Sequence, residues 1–268
     1  MTEAVITNIS WRIYKSGVLT PVVSYEDVND PNIKSVTRVF PSCWIKNNKL
    51  GVGAKFLVGP ATITQKATDE EYDKVLKNLF HCPYCGHPTN WNEGRIQTQC
   101  TNHQCPGIKV AKTQFFFQVL AMPGLTHRYI SLACNAGYKE VGKILNIPYD
   151  EIVEFKDIDK CMATKICNSC KLIKSGVELA KLMYASCCFD NIGETKARKI
   201  LSRFSKEGLC ALENGYLPWW KDEEELKTQK CYINADADTK AFMRGLIPFY
   251  EFVAQNNLKY YFEENKYE

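Results

Sequence analysis

Four cysteines near the middle of the chain have the spacing of metal ligands. They read C-x2-C-x14-C-x4-C over Cys82, Cys85, Cys100 and Cys105, in the stretch HCPYCGHPTNWNEGRIQTQCTNHQC. Each close pair can form a tight turn that points both sulfurs inward. Pro83 and Gly86 favour the first turn, and Pro106 and Gly107 follow the second. The spacer is long enough for a short hairpin joining the two. Thiolates suit zinc, and four of them complete its tetrahedral shell. A complete shell leaves no position for water, so the expected Zn2+ is structural. It would fold a segment too small to fold alone. His81, His87 and His103 lie nearby, but four cysteines already suffice. The other nine of the 13 cysteines are scattered, and several, such as Cys134, Cys187 and Cys188, sit in helical patterns. Packing of small apolar side chains accounts for them.

Two later stretches have the pattern of a helix, a glycine turn and a second helix. In LAKLMYASCCFDNIGETKARKILSRF, residues 179–204, the turn is Asp190-Asn191-Ile192-Gly193 and the second helix starts at Glu194. Gly193 permits close backbone approach. The next helix offers unpaired N–H groups and the positive end of its dipole. Such a turn cradles a phosphate without reading bases. Thr195, Lys196, Arg198, Lys199 and Arg203 follow, with Glu194 the dissenting charge. In QFFFQVLAMPGLTHRYISLACNAG, residues 114–137, the turn is Pro123-Gly124-Leu125-Thr126. Thr126 is placed to cap the next helix, and His127 and Arg128 would face a phosphate. An ordinary bundle corner explains either stretch alone; two in one chain beside a metal module favour phosphate contact. Two degenerate copies, Phe155–Asp159 and Asn234–Asp238, lack the glycine. Asp236 and Asp238 would repel phosphate, so a packing role is expected there.

The elements that must position these residues change character along the chain. Over residues 4–23, apolar Ile6, Ile9, Trp11 and Ile13 give the alternation of a half-buried strand. A turn at Lys15-Ser16-Gly17 leads into a second strand, where Pro21 predicts an edge or a bulge. A turn over 27–32, a strand in IKSVTRVF, and strands near 51–58 and 61–64 make five in all, which suits a small β-barrel. Residues 68–81 form a linker, predicted helical over TDEEYDKVLKNLF. The domain reading is a barrel over 1–67, this linker, the metal module over 82–112 and an all-α array over 113–268. Helical spacing recurs at Leu179, Leu182 and Met183, and at Ala197, Ile200, Leu201 and Phe204. LPWWKDEEELK, residues 217–227, reads as a loop and the start of an acidic helix.

The net charge of +4 hides a gradient: +4 over residues 1–68, +6 over 82–205 and −4 over 206–268. A basic front and middle suit a polyanionic partner. No apolar run reaches the length of a membrane span. The N-terminus lacks the basic-then-apolar pattern of a secretory leader. A cytoplasmic protein, of a bacterium or an infected cell, is therefore expected, with no membrane partner.

The ordered set resembles the C-terminal half of bacterial NAD-dependent DNA ligase, over about residues 4–256. WRIYKSGVLTPVV resembles the family's strand-turn-strand, CPYCGHP with QCTNHQCPG its zinc module, MPGLT its first hairpin and NIGETKARKI its third. The resemblance implies an OB-fold barrel, a four-cysteine zinc finger and a helix-hairpin-helix domain. It implies DNA contacts at Lys15, Thr20 and Arg38 in the barrel. It implies further contacts at Gly124, Leu125, Thr126 and Arg128, and at Gly193, Thr195, Lys196 and Arg198, in the hairpins. The departures are as informative. The family's catalytic lysine lies in K-x-D-G, and none occurs in this sequence. The nicotinamide-recognising and BRCT-like domains have no counterpart in it. Val58-Gly-Pro-Ala-Thr62 stands where the family usually has Arg-Ala-Gly-Asp, and Lys15 replaces an arginine, keeping charge but losing bidentate geometry. The implied role is the nick-clamping subunit of a split ligase in DNA replication and repair, as large-genome phages are expected to encode. A separate adenylation subunit would use the NAD, and this chain would bind none and hold no catalytic residue. The alternative is a stand-alone, non-catalytic DNA-binding protein derived from a ligase.

Overall fold

The computed structural model describes residues 2–28, 35–202, 224, 227 and 233–261. Its chain divides into two compact units, Met1–Ala111 and Lys112–Glu268.

The first unit is built on strand β1 (Glu3–Ile13), whose apolar alternation slips once, from Ile6 to Ile9. The slip coincides with a register shift between Ile6 and Asn8 against strand β2 (Val18–Asp27). A bulge inserts one residue and returns the following side chains to the same face. Ile9 and Trp11 therefore pack on the same core as Ala4 and Ile6. Strand β3 (Val36–Val39) pairs β2 along Val22–Tyr25. The bulge expected at Pro21 lies in β1 instead. Pro21 faces a gap between β2's partners: its carbonyl accepts from Phe40 N at 3.1 Å, just past the end of β3. In an antiparallel strand the N–H points to the same side as the carbonyl, so the missing donor costs no ladder bond.

Helix α1 (Ser42–Asn47) was not legible in the alternation; it follows Pro41, which is compatible with a helix start. Strands β4 (Lys55–Leu57) and β5 (Thr62–Gln65) complete the five expected strands. Helix α2 (Asp69–Phe80) forms as predicted, capped by Thr68, whose hydroxyl accepts from Glu71 N, and with three acidic residues in its first turn. Such a cap and such charges favour a helix N-terminus. α2 places Val75 and Leu79 in the core with Tyr25, Ile45, Leu50 and Phe56. A hairpin of β6 (Thr89–Trp91) and β7 (Thr98–Cys100) joins the same sheet, in the order β5-β4-β1-β2-β7-β6 with β3 also on β2. The sheet is a curled half-barrel of OB-like form.

Helix α3 (Pro106–Leu120) leads into the second unit. There follow α4 (His127–Asn135), α5 (Val141–Leu145), α6 (Tyr149–Val153), α7 (Lys160–Ser175), the short strand β8 (Val177–Glu178), α8 (Leu179–Ser186), α9 (Glu194–Leu201) and α10 (Ala237–Gln255). Strand β9 (Tyr260–Tyr261) pairs parallel with β8. The predicted stripes are buried at Leu179, Leu182, Met183, Ala197, Ile200 and Leu201. Phe204 and Arg203 lie outside the described residues, as does the 29–32 part of the expected turn. So does the 217–227 segment, apart from Glu224 and Lys227, which are helical and paired at 3.0 Å. Phe189 stacks on Phe242 and meets Phe249 at a tilt, and a Cβ on Gly245 would overlap its ring. No described helix is long and apolar enough to cross a membrane.

Candidate metal centre

The first cysteine pair sits in a tight turn directly after α2. Cys82 N donates to His87 O at 2.8 Å, and Gly86 N donates back to Cys82 O at 2.8 Å. Gly86 has φ +73°, which only glycine adopts without strain. The β6–β7 hairpin then crosses to the second pair, as the spacer length allowed. Asn92 closes the hairpin, its Oδ1 accepting from Ile96 N at 2.9 Å and Gln97 N at 3.1 Å. At the second pair, Cys105 N donates to Asn102 O at 3.0 Å, and Cys105 O accepts from Lys109 N as α3 begins.

The four Sγ atoms lie within 4.8 Å of one another, with Cys82–Cys105 at 3.8 Å and Cys85–Cys100 at 3.6 Å. A zinc ion with ~2.3 Å bonds to a tetrahedron of sulfurs sets them about 3.8 Å apart. The geometry therefore fits Zn2+, and Cys82, Cys85, Cys100 and Cys105 would hold it. Cys82, Cys100 and Cys105 are buried, against Ile13, Leu19 and Ile108, and Cys85 is half-buried. Burial opposes charge on Cys85, but the His87 backbone N–H and the thiols of Cys100 and Cys105 bring its pKa down to about 6. Burial pushes the Cys82 thiol up, and Cys100 up to about 11. Metal binding must displace the remaining protons, so acid and zinc compete for the site. The histidines are not among the converging ligands; His87 Nδ1 lies 3.4 Å from Cys85 O.

Sequence reasoning missed what the centre is fastened to. The β1–β2 turn lies against the second pair: Cys100 N donates to Gly17 O at 2.9 Å, and Gln99 Nε2 to Ser16 O at 2.7 Å. Gly17 has φ +85°, and a Cβ there would stand 3.1 Å from Cys100 O. Tyr84, inside the first pair, donates its hydroxyl to Trp11 O at 2.6 Å, and its ring occupies the space a Cβ on Gly107 would need. The glycine at each position was the available signal.

The predicted turns of the second unit are both flanked by helices. Between α3 and α4, Gly124 has φ +81° and is crowded by Ile166, Leu125 is buried, and Thr126 caps α4 by accepting from Tyr129 N at 3.3 Å. Arg128 is exposed and ion-paired with Asp157. Between α8 and α9, the left-handed residue is Asn191, at φ +58°, and Gly193 is the N-cap of α9 at φ −83°. A Cβ on Gly193 would meet nothing within 4 Å. Thr195 is exposed beside it. Lys196 pairs with Asp238 at 2.9 Å, and Arg198 pairs with buried Glu178 and, at 2.6 Å, with Glu194. In the degenerate copies, Asp159 caps α7 and Asp236 caps α10.

No family model matches the chain. Curated relatives do. A DNA ligase of Fusobacterium nucleatum is 26% identical over 76% of this chain and 31% of its own length. DNA ligases of Citrifermentans bemidjiense and Desulfovibrio desulfuricans are 24% and 23% identical over 77% and 80% of the chain. The chain is similar in sequence to part of several bacterial DNA ligases. It spans about a third of the length of the ligases it matches.

The barrel positions singled out from the ligase resemblance fall on different surfaces. Lys15 is partly exposed in the turn that holds the metal centre. Arg38 is exposed on β3, whereas Thr20 on β2 is buried, at 4% exposure, and presents almost no surface. The loop between β4 and β5 has Gly59 at φ +110° and Ala61 at φ +55°.

Proposed function

We propose that this chain is the DNA-clamping part of an NAD-dependent DNA ligase whose adenylation machinery is carried on a separate subunit. The observation that carries the reading is the match of three quarters of the chain to about a third of several DNA ligases. The converging four-cysteine centre supports it. Ligation needs a lysine nucleophile that accepts the adenylyl group. The 268 residues contain no K-x-D-G, so that lysine must be supplied from outside them.

In this reading the OB-like barrel over 1–67 binds duplex DNA at a nick through Lys15 and Arg38, with Thr20 supporting the strand beneath. The four-cysteine finger over 82–112 fixes the barrel's neighbours, and the helix-hairpin-helix domain over 113–268 grips phosphates. At the second hairpin the open space over Gly193 and the exposed Thr195 and Lys196 face the phosphate. Gly124, Leu125 and Thr126 shape the first, and Arg128, Lys196 and Arg198 approach phosphate only by sharing their carboxylate partners. Zinc, when bound, supplies a rigid crosslink and no chemistry. The clamp raises effective molarity by holding the 3′-hydroxyl and the adenylated 5′-phosphate in line.

The test is nick sealing with NAD, using this chain alone and then with an adenylation subunit that carries K-x-D-G. Sealing only in the mixture is expected. No sealing in either case, with DNA binding intact, would replace this reading by the stand-alone DNA-binding protein.

A further inference from the structure

Within the first unit, α1 and the β6–β7 hairpin wall a cleft of about 860 Å3. Its lining includes Lys46, Asn47, Asn90, Trp91, Glu93 and Arg95. The walls are joined at the base. Ser42 N donates to Gln97 Oε1 at 3.0 Å, Ser42 Oγ to the same oxygen at 2.7 Å, and Cys43 N to Ile96 O at 3.0 Å. These bonds also satisfy the first N–H groups of α1, so the helix terminus is not what the cleft offers.

What it offers is two cations and an aromatic surface. Lys46 Nζ lies 5.3 Å from the Trp91 ring centre and 5.6 Å from that of Phe80, which is 45% exposed. Cation–π contacts hold the ammonium in place while leaving its charge uncancelled. Arg95 is exposed at the hairpin turn with φ +50°, a conformation unfavourable for a long side chain. Neither Lys46 nor Arg95 forms an ion pair among the described residues, although Glu93 lines the same cleft. Arg128, Lys196 and Arg198, by contrast, are all bound to carboxylates. The turn holds Arg95 in place, its N–H donating to Asn92 O at 2.8 Å.

We propose that this cleft binds single-stranded nucleic acid, with Lys46 and Arg95 on backbone phosphates and Trp91 of its lining, with Phe80 adjoining the cleft, against a base. Sites of this class combine cations that track the backbone with aromatic faces on which bases stack. An acidic peptide would use the cations but not the rings. The proposal uses none of the residues that the ligase reading assigns to the hairpins or to the barrel's duplex contacts.

The experiment is fluorescence anisotropy on the full chain, titrated into single-stranded oligo(dT) of about ten nucleotides, within the span of one such site. Nicked duplex is titrated in parallel. Arg95→Gly removes the guanidinium and relieves the turn, and Lys46→Gln removes the ammonium. Each is expected to weaken single-strand binding roughly tenfold, as loss of a charged contact does. Each should also lower the dependence on log salt by about 0.7. Arg95→Gly should melt no lower than the parent, which separates lost contact from lost fold. Unchanged single-strand affinity and salt slope in both variants would overturn the proposal, whatever the nicked duplex does. Competition by dTMP equal to that of the strand, nucleotide for nucleotide, would overturn it in favour of a free-nucleotide site. A parent chain that binds the oligonucleotide but not the nicked duplex would count against the clamp reading and leave this proposal standing.

Discussion

At the scale of single residues, two glycines of the same expected kind turn out to be physically different. Gly124 needs its glycine for internal reasons: φ is +81° and Ile166 fills the space beside it. Gly193 has an ordinary φ, and a side chain there would meet no protein atom. The sequence marks both as turn glycines; only the packing separates them, because crowding by a distant residue leaves no trace in a local motif. Gly193→Leu is therefore expected to fold with unchanged metal content and a melting temperature close to the parent's. Its affinity for nicked duplex should fall by roughly tenfold, the scale of one lost charge-assisted contact. Equal affinity in a binding titration would remove the α8–α9 turn from the interface. The same scale shows what a run of charges omits. Lys196 and Arg198 line up along α9, as the sequence says, but Asp238 and Glu178 come from distant parts of the chain to meet them.

At the scale of elements, the most legible were those whose signals are local. β1 and β2 announce themselves by alternation and by Ser16-Gly17, and α2 by Thr68 followed by Asp69, Glu70 and Glu71. The four cysteines were legible for the same reason, since tight turns fix which sulfurs can converge. Helix α1 was not, because six residues carry too little periodicity to separate helix from strand. Nor was the union of β7 with β2, which depends on register between segments far apart in sequence. Tertiary need also explains Gly245 in the interior of α10, where glycine costs about 1 kcal/mol in helix propensity. Phe189 occupies the space its side chain would take. Gly245→Ala should thus lower stability by about 1–3 kcal/mol through overpacking, despite its better propensity. Denaturant unfolding of the variant measures this, and a gain in stability would contradict it.

At the scale of the whole molecule, the four converging cysteines sit in two turns that are also bonded into the barrel sheet, and a zinc ion on them would join the two. Removing the metal should destabilise the first unit, Met1–Ala111, more than the second. Treatment with a strong chelator, or Cys82→Ser, is expected to release zinc and abolish hydrogen-exchange protection of β6, β7 and the β1–β2 turn. Protection in α7 and α10 should persist. Uniform loss across both units, or none, would contradict a structural metal seated in the first. Acid should act in the same direction, because protons compete with zinc for the thiolates.

The pairing of β7 with β2 also bears on how this protein is made. Leu19 meets Thr98 across a loop of about 80 residues, a closure that is slow and entropically costly for a free chain. β1 and β2 can form early from local contacts, but one stretch of β2 at Val18–Leu19 then stays bare until synthesis passes Cys105. A cell short of zinc would prolong that interval. The first consequence of metal starvation would then be aggregation of nascent chains at an exposed strand edge, before any loss of activity in the folded protein.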